Sequence, residues 1–197
     1  QCQQAMHATA KKLSKQRKKK FKAGDFSGFA SSEQIGTFGV SQSSPLHLTT
    51  DPGIVCVDVH PTKSELVLTG GQDGNVIVFN KDSKKQLSTN KGHEQKITSV
   101  QFHPSEDIVL SSSADGTAKV WNKSSEIYDV ASFVSCHSSS VVGVSLHATG
   151  DFFATASADK TWAFHDIATG KLRTHVSDSK ISSAYTGVQF HPDGLIL

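Results

Sequence analysis

The sequence contains ten histidines, with serines and aspartates close by, and the first chemistry these suggest is a Ser-His-Asp relay for nucleophilic hydrolysis. Their spacing argues otherwise. His60, His103, His147 and His191 follow one another at 43, 44 and 44 residues, and Asp73, Asp115 and Asp159 at 42 and 44. A catalytic constellation is needed once, whereas these residues return on a fixed beat, and no Gly-x-Ser-x-Gly elbow accompanies them. Histidines one repeat apart are also too distant to share a metal ion. Gly70, Gly71 and Gly74 lack the Gly-Lys-Ser/Thr that completes a phosphate loop. Cys2, Cys56 and Cys136 are odd in number and in no metal-ligand spacing, which suits a reducing compartment. The expectation is therefore no catalytic, cofactor-binding or metal-binding residue.

A second cluster is electrostatic. Lys11, Lys12, Lys15, Arg17, Lys18, Lys19, Lys20 and Lys22 are eight of the 20 Lys and Arg, and residues 1–22 hold none of the 18 acids. The rest of the chain is mildly acidic, so the net charge of +2 conceals a basic tail on an acidic body. Such a cluster suits nuclear import or the binding of phosphate groups. The body does not read as a nucleic-acid platform, which would carry a basic stripe of its own.

The elements that position these residues follow from composition and period. Residues 1–22 lack Gly and Pro and are rich in Ala, Lys and Gln, which predicts a helix, and Met6, Ala10 and Leu13 form a narrow seam suited to the end of a coiled coil. Residues 23–50 mix Gly24, Gly28, Gly36 and Gly39 with six serines and read as a linker, in which Phe26, Phe29 and Phe38 are unusual. From residue 51 to 197 the chain is periodic, with repeats near 51–91, 92–135, 136–180 and an incomplete 181–197. Alternating segments Val55 to Val59, Thr98 to Phe102, Val142 to Leu146 and Thr186 to Phe190 each precede one of the spaced histidines and predict strands. The turns Asp73-Gly74, Asp115-Gly116 and Asp159-Lys160 lie between further strand pairs. A four-stranded sheet repeated at this length buries both faces by radial stacking, so an all-β propeller of about three and a half blades is expected. No run reaches the roughly 20 apolar residues of a membrane-spanning helix.

Gly92-His93 and Cys136-His137, each histidine 22 residues ahead of a turn aspartate, and the ends Phe79-Asn80, Trp121-Asn122 and Phe164-His165-Asp166 resemble the WD-repeat pattern. That resemblance implies that His93, Asp115, Trp121 and either Ser111 or Ser113 form a structural hydrogen-bonded network in the second blade. His137 and Asp159 would repeat it in the third, cut short because Phe164 cannot donate as an indole can. The first blade, lacking Gly-His, is expected to be the least regular.

More specific stretches narrow the likeness: Ser145 to Asp151, Trp162 to Gly170, Gln189 to Ile196, Leu68-Thr69-Gly70-Gly71, and the basic helix ahead of a linker. Together they resemble the family of nuclear U-box/WD-repeat ubiquitin ligases. The resemblance implies a whole protein with an amino-terminal U-box that recruits a ubiquitin-conjugating enzyme, a tetramerising coiled coil and a propeller of about seven blades, acting in the spliceosome and in DNA repair. On this reading the chain is a fragment without the U-box and the last blades, and its part is to bind partners and substrates. Two other readings stay open: a non-enzymatic WD-repeat adaptor of another nuclear or signalling complex, and direct binding of RNA or DNA by the basic tail.

Overall fold

The computed structural model describes residues 2–22, 30–40, 42–47, 53–124, 127–194 and 197, in two compact units, Gln1–Pro45 and Leu46–Leu197. In the first unit, helix α1 spans Cys2–Lys22, as a run of good helix formers without Gly or Pro favours. Helix α2 (Ser32–Gly36) is a single turn inside the segment read as a linker. Its cause is local. Ser31 Oγ accepts from the Gln34 N–H and the Gln34 side chain accepts from the Ser31 N–H, a capping box that satisfies two donors of the first turn. Phe38 follows it 72% exposed, while Phe26 and Phe29 lie outside the described residues.

The second unit is all β. Strands β1 (Ile54–Val59), β2 (Leu66–Gly71), β3 (Asn75–Asn80) and β4 (Lys85–Lys91) form one antiparallel sheet, and β5 (Ile97–Phe102), β6 (Ile108–Ser113), β7 (Ala118–Ser124) and β8 (Ile127–Val134) a second. The third holds β9 (Val141–Leu146), β10 (Phe152–Ser157), β11 (Thr161–Asp166) and β12 (Leu172–Ser177). Each sheet is a meander in chain order, and the first strands β1, β5 and β9 pack side by side. These are three blades of a propeller.

Stacking explains the burial. Every residue of β6 and of β10 is buried, which a strand achieves only with a neighbour on both faces. Leu68, Val76, Val78, Ile97, Val100, Val109 and Trp121 form one apolar core between the first two blades. Leu110, Val120, Val144, Phe153 and Ile167 form the next, between the second and third. In β1, by contrast, Val55, Val57 and Val59 are 40%, 62% and 50% exposed, because no described sheet covers that face.

The fourth alternating segment differs from the expectation. Thr186 to Phe190 runs past β9, held by the Phe190 N–H donating to Ser145 Oγ, but forms no strand. The reason is that a strand needs a ladder partner, and none follows it among the described residues.

Candidate functional site

The second blade shows what the recurring polar residues do. Hairpin β6–β7 turns at Asp115-Gly116, where Gly116 has a φ of 84°, and the chain enters the blade from β4 through Gly92-His93. His93 Nδ1 lies 2.9 Å from Asp115 Oδ2 and its Nε2 2.8 Å from Ser111 Oγ, and the Trp121 indole N–H donates to the same Ser111 Oγ at 2.8 Å. Asp115 also accepts from the Glu94 N–H, the Thr117 N–H and the Thr117 hydroxyl. Of the two candidate serines, Ser111 is therefore in this network, while Ser113 Oγ donates to the Gln95 and Lys96 carbonyls and accepts from the Asp115 N–H.

The order Asp115, His93, Ser111 is that of a hydrolytic triad, and so is the protonation it favours. Indole can only donate, so the Ser111 hydroxyl hydrogen is left to point at His93 Nε2, which places the ring proton on Nδ1 toward Asp115. Burial pushes the His93 pKa down by more than Asp115 raises it. Burial also pushes the Asp115 carboxyl up, but Thr117, His93 and Glu94 hold it below the usual range. The pair is thus a neutral imidazole on a carboxylate. Ser111, however, is 0% exposed with Trp121 against its oxygen, so no substrate carbonyl can reach it. Among the described residues no group of three His, Cys, Asp or Glu is placed to hold a metal ion.

In the third blade the pattern shifts by one residue. The β10–β11 register pairs Phe153 with His165, as β6–β7 pairs Val109 with Trp121, so His165 and not Phe164 occupies the indole position. Phe164 instead joins Phe152, His147 and Phe190 in an aromatic cluster. His165 Nε2 is 3.0 Å from Thr155 Oγ1, which is 2.8 Å from His137 Nε2. The network is accordingly not shortened. His137 Nδ1 meets Thr161 Oγ1 at 2.8 Å, with Asp159 Oδ2 farther away at 3.4 Å. Size bears on the residue before His93: a side chain at Gly92 would start 3.0 Å from the Trp121 ring.

The first blade has a histidine that the sequence reading missed. His47 places Nδ1 2.9 Å from Asp73 and Nε2 3.0 Å from Thr69 Oγ1. It stands 26 residues before its aspartate, follows Leu46 rather than Gly, and is anchored by Gln86 donating to the Leu46 carbonyl. Gly71 permits this route, since a Cβ there would lie 2.1 Å from the His47 ring. Here Phe79 takes the indole position, so it is the first network that stops at the hydroxyl.

Two further sets of contacts join the blades, and neither is visible in the repeat pattern alone. Along the first strands, Asp58 accepts from the Phe102 N–H, Gln101 from the Leu146 N–H and Ser145 from the Phe190 N–H. The three acceptors Asp58, Gln101 and Ser145, with Ser99 and Gln189, line a cavity of about 230 Å³. At the strand ends, His103 Nδ1 accepts from the Ser105 and Glu106 N–H groups and its Nε2 donates to the Gly150 carbonyl at 3.0 Å. His147 does the same to Gly194 at 3.0 Å. Two of the histidines that follow an alternating strand, His103 and His147, thus clasp the next repeat, whereas His60 accepts from the Thr62 and Lys63 N–H groups of its own repeat.

Protonation sets a pH limit on this bracing. Burial lowers the His165 pKa to about 4, with His137 and His175 pushing in the same direction. An unfolded histidine titrates near 6.5, so as pH falls from there toward about 4 the unfolded chain binds protons that the folded one refuses. Stability is therefore expected to fall over that window. Asp159, whose pKa burial raises but Thr161 and Ser138 lower to about 2, extends the loss below the ordinary carboxylate range. The urea midpoint should be clearly lower at about pH 5 than at about pH 7, with His165→Gln flattening the difference. An equal midpoint at both values would contradict the argument.

Stacked four-stranded blades, each tied by a turn aspartate, a histidine and a hydroxyl, define a WD-repeat protein. The family model described as WD domain, G-beta repeat matches residues 41–80, 84–122 and 128–166, and the chain belongs to that family. The second match begins just before β4 and the third within β8, the outer strands of the preceding blades, so one sequence repeat spans two blades and its histidine sits at their junction. Within the family the chain is similar to proteins named pre-mRNA-processing factor 19. It is 46% identical to that of Bos taurus over 151 residues, 77% of this chain and 30% of the relative. It is 42% identical to that of Oryza sativa over 169 residues (85% and 32%) and 36% identical to that of Caenorhabditis elegans over 171 (86% and 34%). The chain spans about a third of the length of these relatives.

Proposed function

We propose that this chain is the partner- and substrate-binding WD-repeat scaffold of a nuclear U-box ubiquitin ligase that works in pre-mRNA splicing and DNA repair. The observation that carries the reading is 46% identity over 151 residues to a relative named for pre-mRNA processing. The structure is compatible with it, because the chemically capable side chains are consumed inside the blades and leave surfaces and loops for recognition. The complete protein would carry the U-box that recruits a ubiquitin-conjugating enzyme and the coiled coil that makes a homotetramer, while this region selects proteins of a spliceosome-associated complex. None of these steps uses a catalytic residue, metal or cofactor of the chain itself.

The test is depletion of the gene product from a nuclear extract, followed by a splicing assay on a reporter pre-mRNA and by ubiquitin transfer with the purified full-length protein. Splicing is expected to fall several-fold and to return on add-back, and ubiquitin chains are expected to form. Undiminished splicing would remove the proposal. Restored splicing without ubiquitin transfer would favour the non-enzymatic adaptor instead.

A further inference from the structure

The three blades serve as controls for one another, because one architecture is built three times with different side chains. In each blade the hydroxyl residue of the brace, Thr69, Ser111 or Thr155, pairs across the inner ladder with Ile77, Lys119 or Ala163. That residue pairs in turn with Thr89, Phe133 or His175 on the outer strand. In the first and third blades the polarity is the one packing demands. Ile77 and Ala163 are buried, and their outer partners Thr89 and His175 are polar and exposed. The second blade reverses it: Lys119 takes the inner place, and Phe133 stands outside, 62% exposed. The architecture does not require an aromatic ring at that position, since Thr89 and His175 fill it in the other two blades.

Strand geometry places a second apolar side chain beside the ring. Lys119 and Trp121 alternate onto the face of β7 that is turned toward the first blade, and their partners on β8, Phe133 and Val130, share that face. The bulge at Ala131 is what brings Val130 and Phe133 to the same side. Val130 is 42% exposed next to Gly92, which has no side chain to cover it. Lys119 Nζ lies 5.8 Å from the centre of the Phe133 ring, close enough for the cation to be attracted by the ring face. Among the described residues no carboxylate comes within ion-pair distance of Lys119. The outer rim of the second blade therefore presents an apolar pair with an ammonium poised over it.

We infer that Phe133, Val130 and Lys119 form a docking patch for a segment of a partner protein that presents a bulky apolar residue beside an Asp or Glu. The apolar residue covers Phe133 and Val130, and the carboxylate pairs with Lys119. Charge decides the sign of the partner, because a cation without an acid of its own at a contact favours a carboxylate and repels a base. An open rim of two side chains does not enclose a small molecule, which needs a concave site, so the occupant is a protein segment. The inference rests on the scaffold reading above and specifies its partner chemistry, but its assay uses neither splicing nor ubiquitin transfer, so the two can fail separately.

The test is fluorescence anisotropy of the full chain with two labelled peptides of equal length at about 0.15 M salt. One carries Leu-Phe flanked on both sides by Asp and Glu, and the other carries Ala-Ala between the same acids. The second has the charge of the first, so it reads any attraction to the lysines of α1 alone. The Leu-Phe peptide is expected to bind about fivefold more tightly or better. Phe133→Thr and Lys119→Ile install residues that the first blade already uses at the same positions, so both variants are expected to fold, and their melting temperatures check this. Each should weaken the Leu-Phe peptide about fivefold and leave the Ala-Ala peptide unchanged. Equal binding of the two peptides by the unsubstituted chain would overturn the inference. So would a Leu-Phe preference that survives either substitution, including one that survives while the melting temperature falls, since the pair would then only stabilise its own hairpin.

Discussion

Trp121→Ala is expected to destabilise the WD-repeat unit by about 3–5 kcal/mol, the largest effect of any single substitution here. The indole is 1% exposed in the core between the first two blades, and its loss leaves a cavity in the cluster that holds Val109 and Tyr128, beside the Gly92 backbone. It also takes the donor from Ser111 Oγ. Trp121→Phe separates these contributions. The chain already uses Phe79 at the same place in the first blade, so a ring without an N–H is tolerated by the architecture, and the cost should fall to about 1–2 kcal/mol. For a chain of this length the alanine variant should melt about 10 °C lower, read by circular dichroism or calorimetry. Equal costs for Ala and Phe would show that packing of the ring is not what Trp121 provides.

Asp115→Ala should cost about 2–3 kcal/mol without making any cavity of consequence. The carboxylate accepts from the His93 ring, two backbone N–H groups and the Thr117 hydroxyl, and its side chain is 9% exposed. Removing it strands several donors that water reaches poorly, and each costs on the order of 1 kcal/mol or more when unpaired. Asp159→Ala should cost less, because His137 Nδ1 keeps Thr161 at 2.8 Å whether or not the carboxylate at 3.4 Å is present. Urea unfolding of both variants measures the ranking. The ranking matters because it separates a brace built around the histidine from a turn that merely needs an aspartate.

Much of this was legible in the sequence, for a physical reason. A blade needs an aspartate wherever its second hairpin turns and an alternating strand wherever it meets its neighbour, so these requirements recur at the spacing of one blade and leave a beat of 42 to 44 residues. What escaped depends on contacts that spacing does not encode. His47 was hidden because it enters from 26 residues away through Leu46, and only the open Gly71 makes that route possible. The place of His165 at the indole position escaped because an aromatic one residue earlier, Phe164, fits the pattern equally well until strand register decides which face each occupies. A bulge in the outer strand lies opposite this position in all three blades, between Val78 and Phe79, Val120 and Trp121, and Phe164 and His165, and bulges leave no signature in a repeat count.

The clasps from His103 to Gly150 and from His147 to Gly194 were also out of reach. Each joins a residue of one repeat to a carbonyl of the next, 47 positions on, and the acceptor is backbone, which has no letter in the sequence. The glycines themselves carry the only trace: their φ angles are 84° and 72°, and a Cβ at either would lie 2.6 Å from the histidine Nε2. The Asp58, Gln101 and Ser145 staples share the difficulty, since three different side chains perform one task.

The account rests on the recurring histidine and aspartate acting together as a brace across blade junctions, and a double-mutant cycle on His93 and Asp115 measures that directly. Comparing unfolding free energies of His93→Ala, Asp115→Ala and the double variant should give a coupling of about 1–3 kcal/mol, the second substitution costing much less once the first is made. Free energies that add to within about 0.5 kcal/mol would mean that the two side chains stabilise the fold independently, and the brace as described here would not exist.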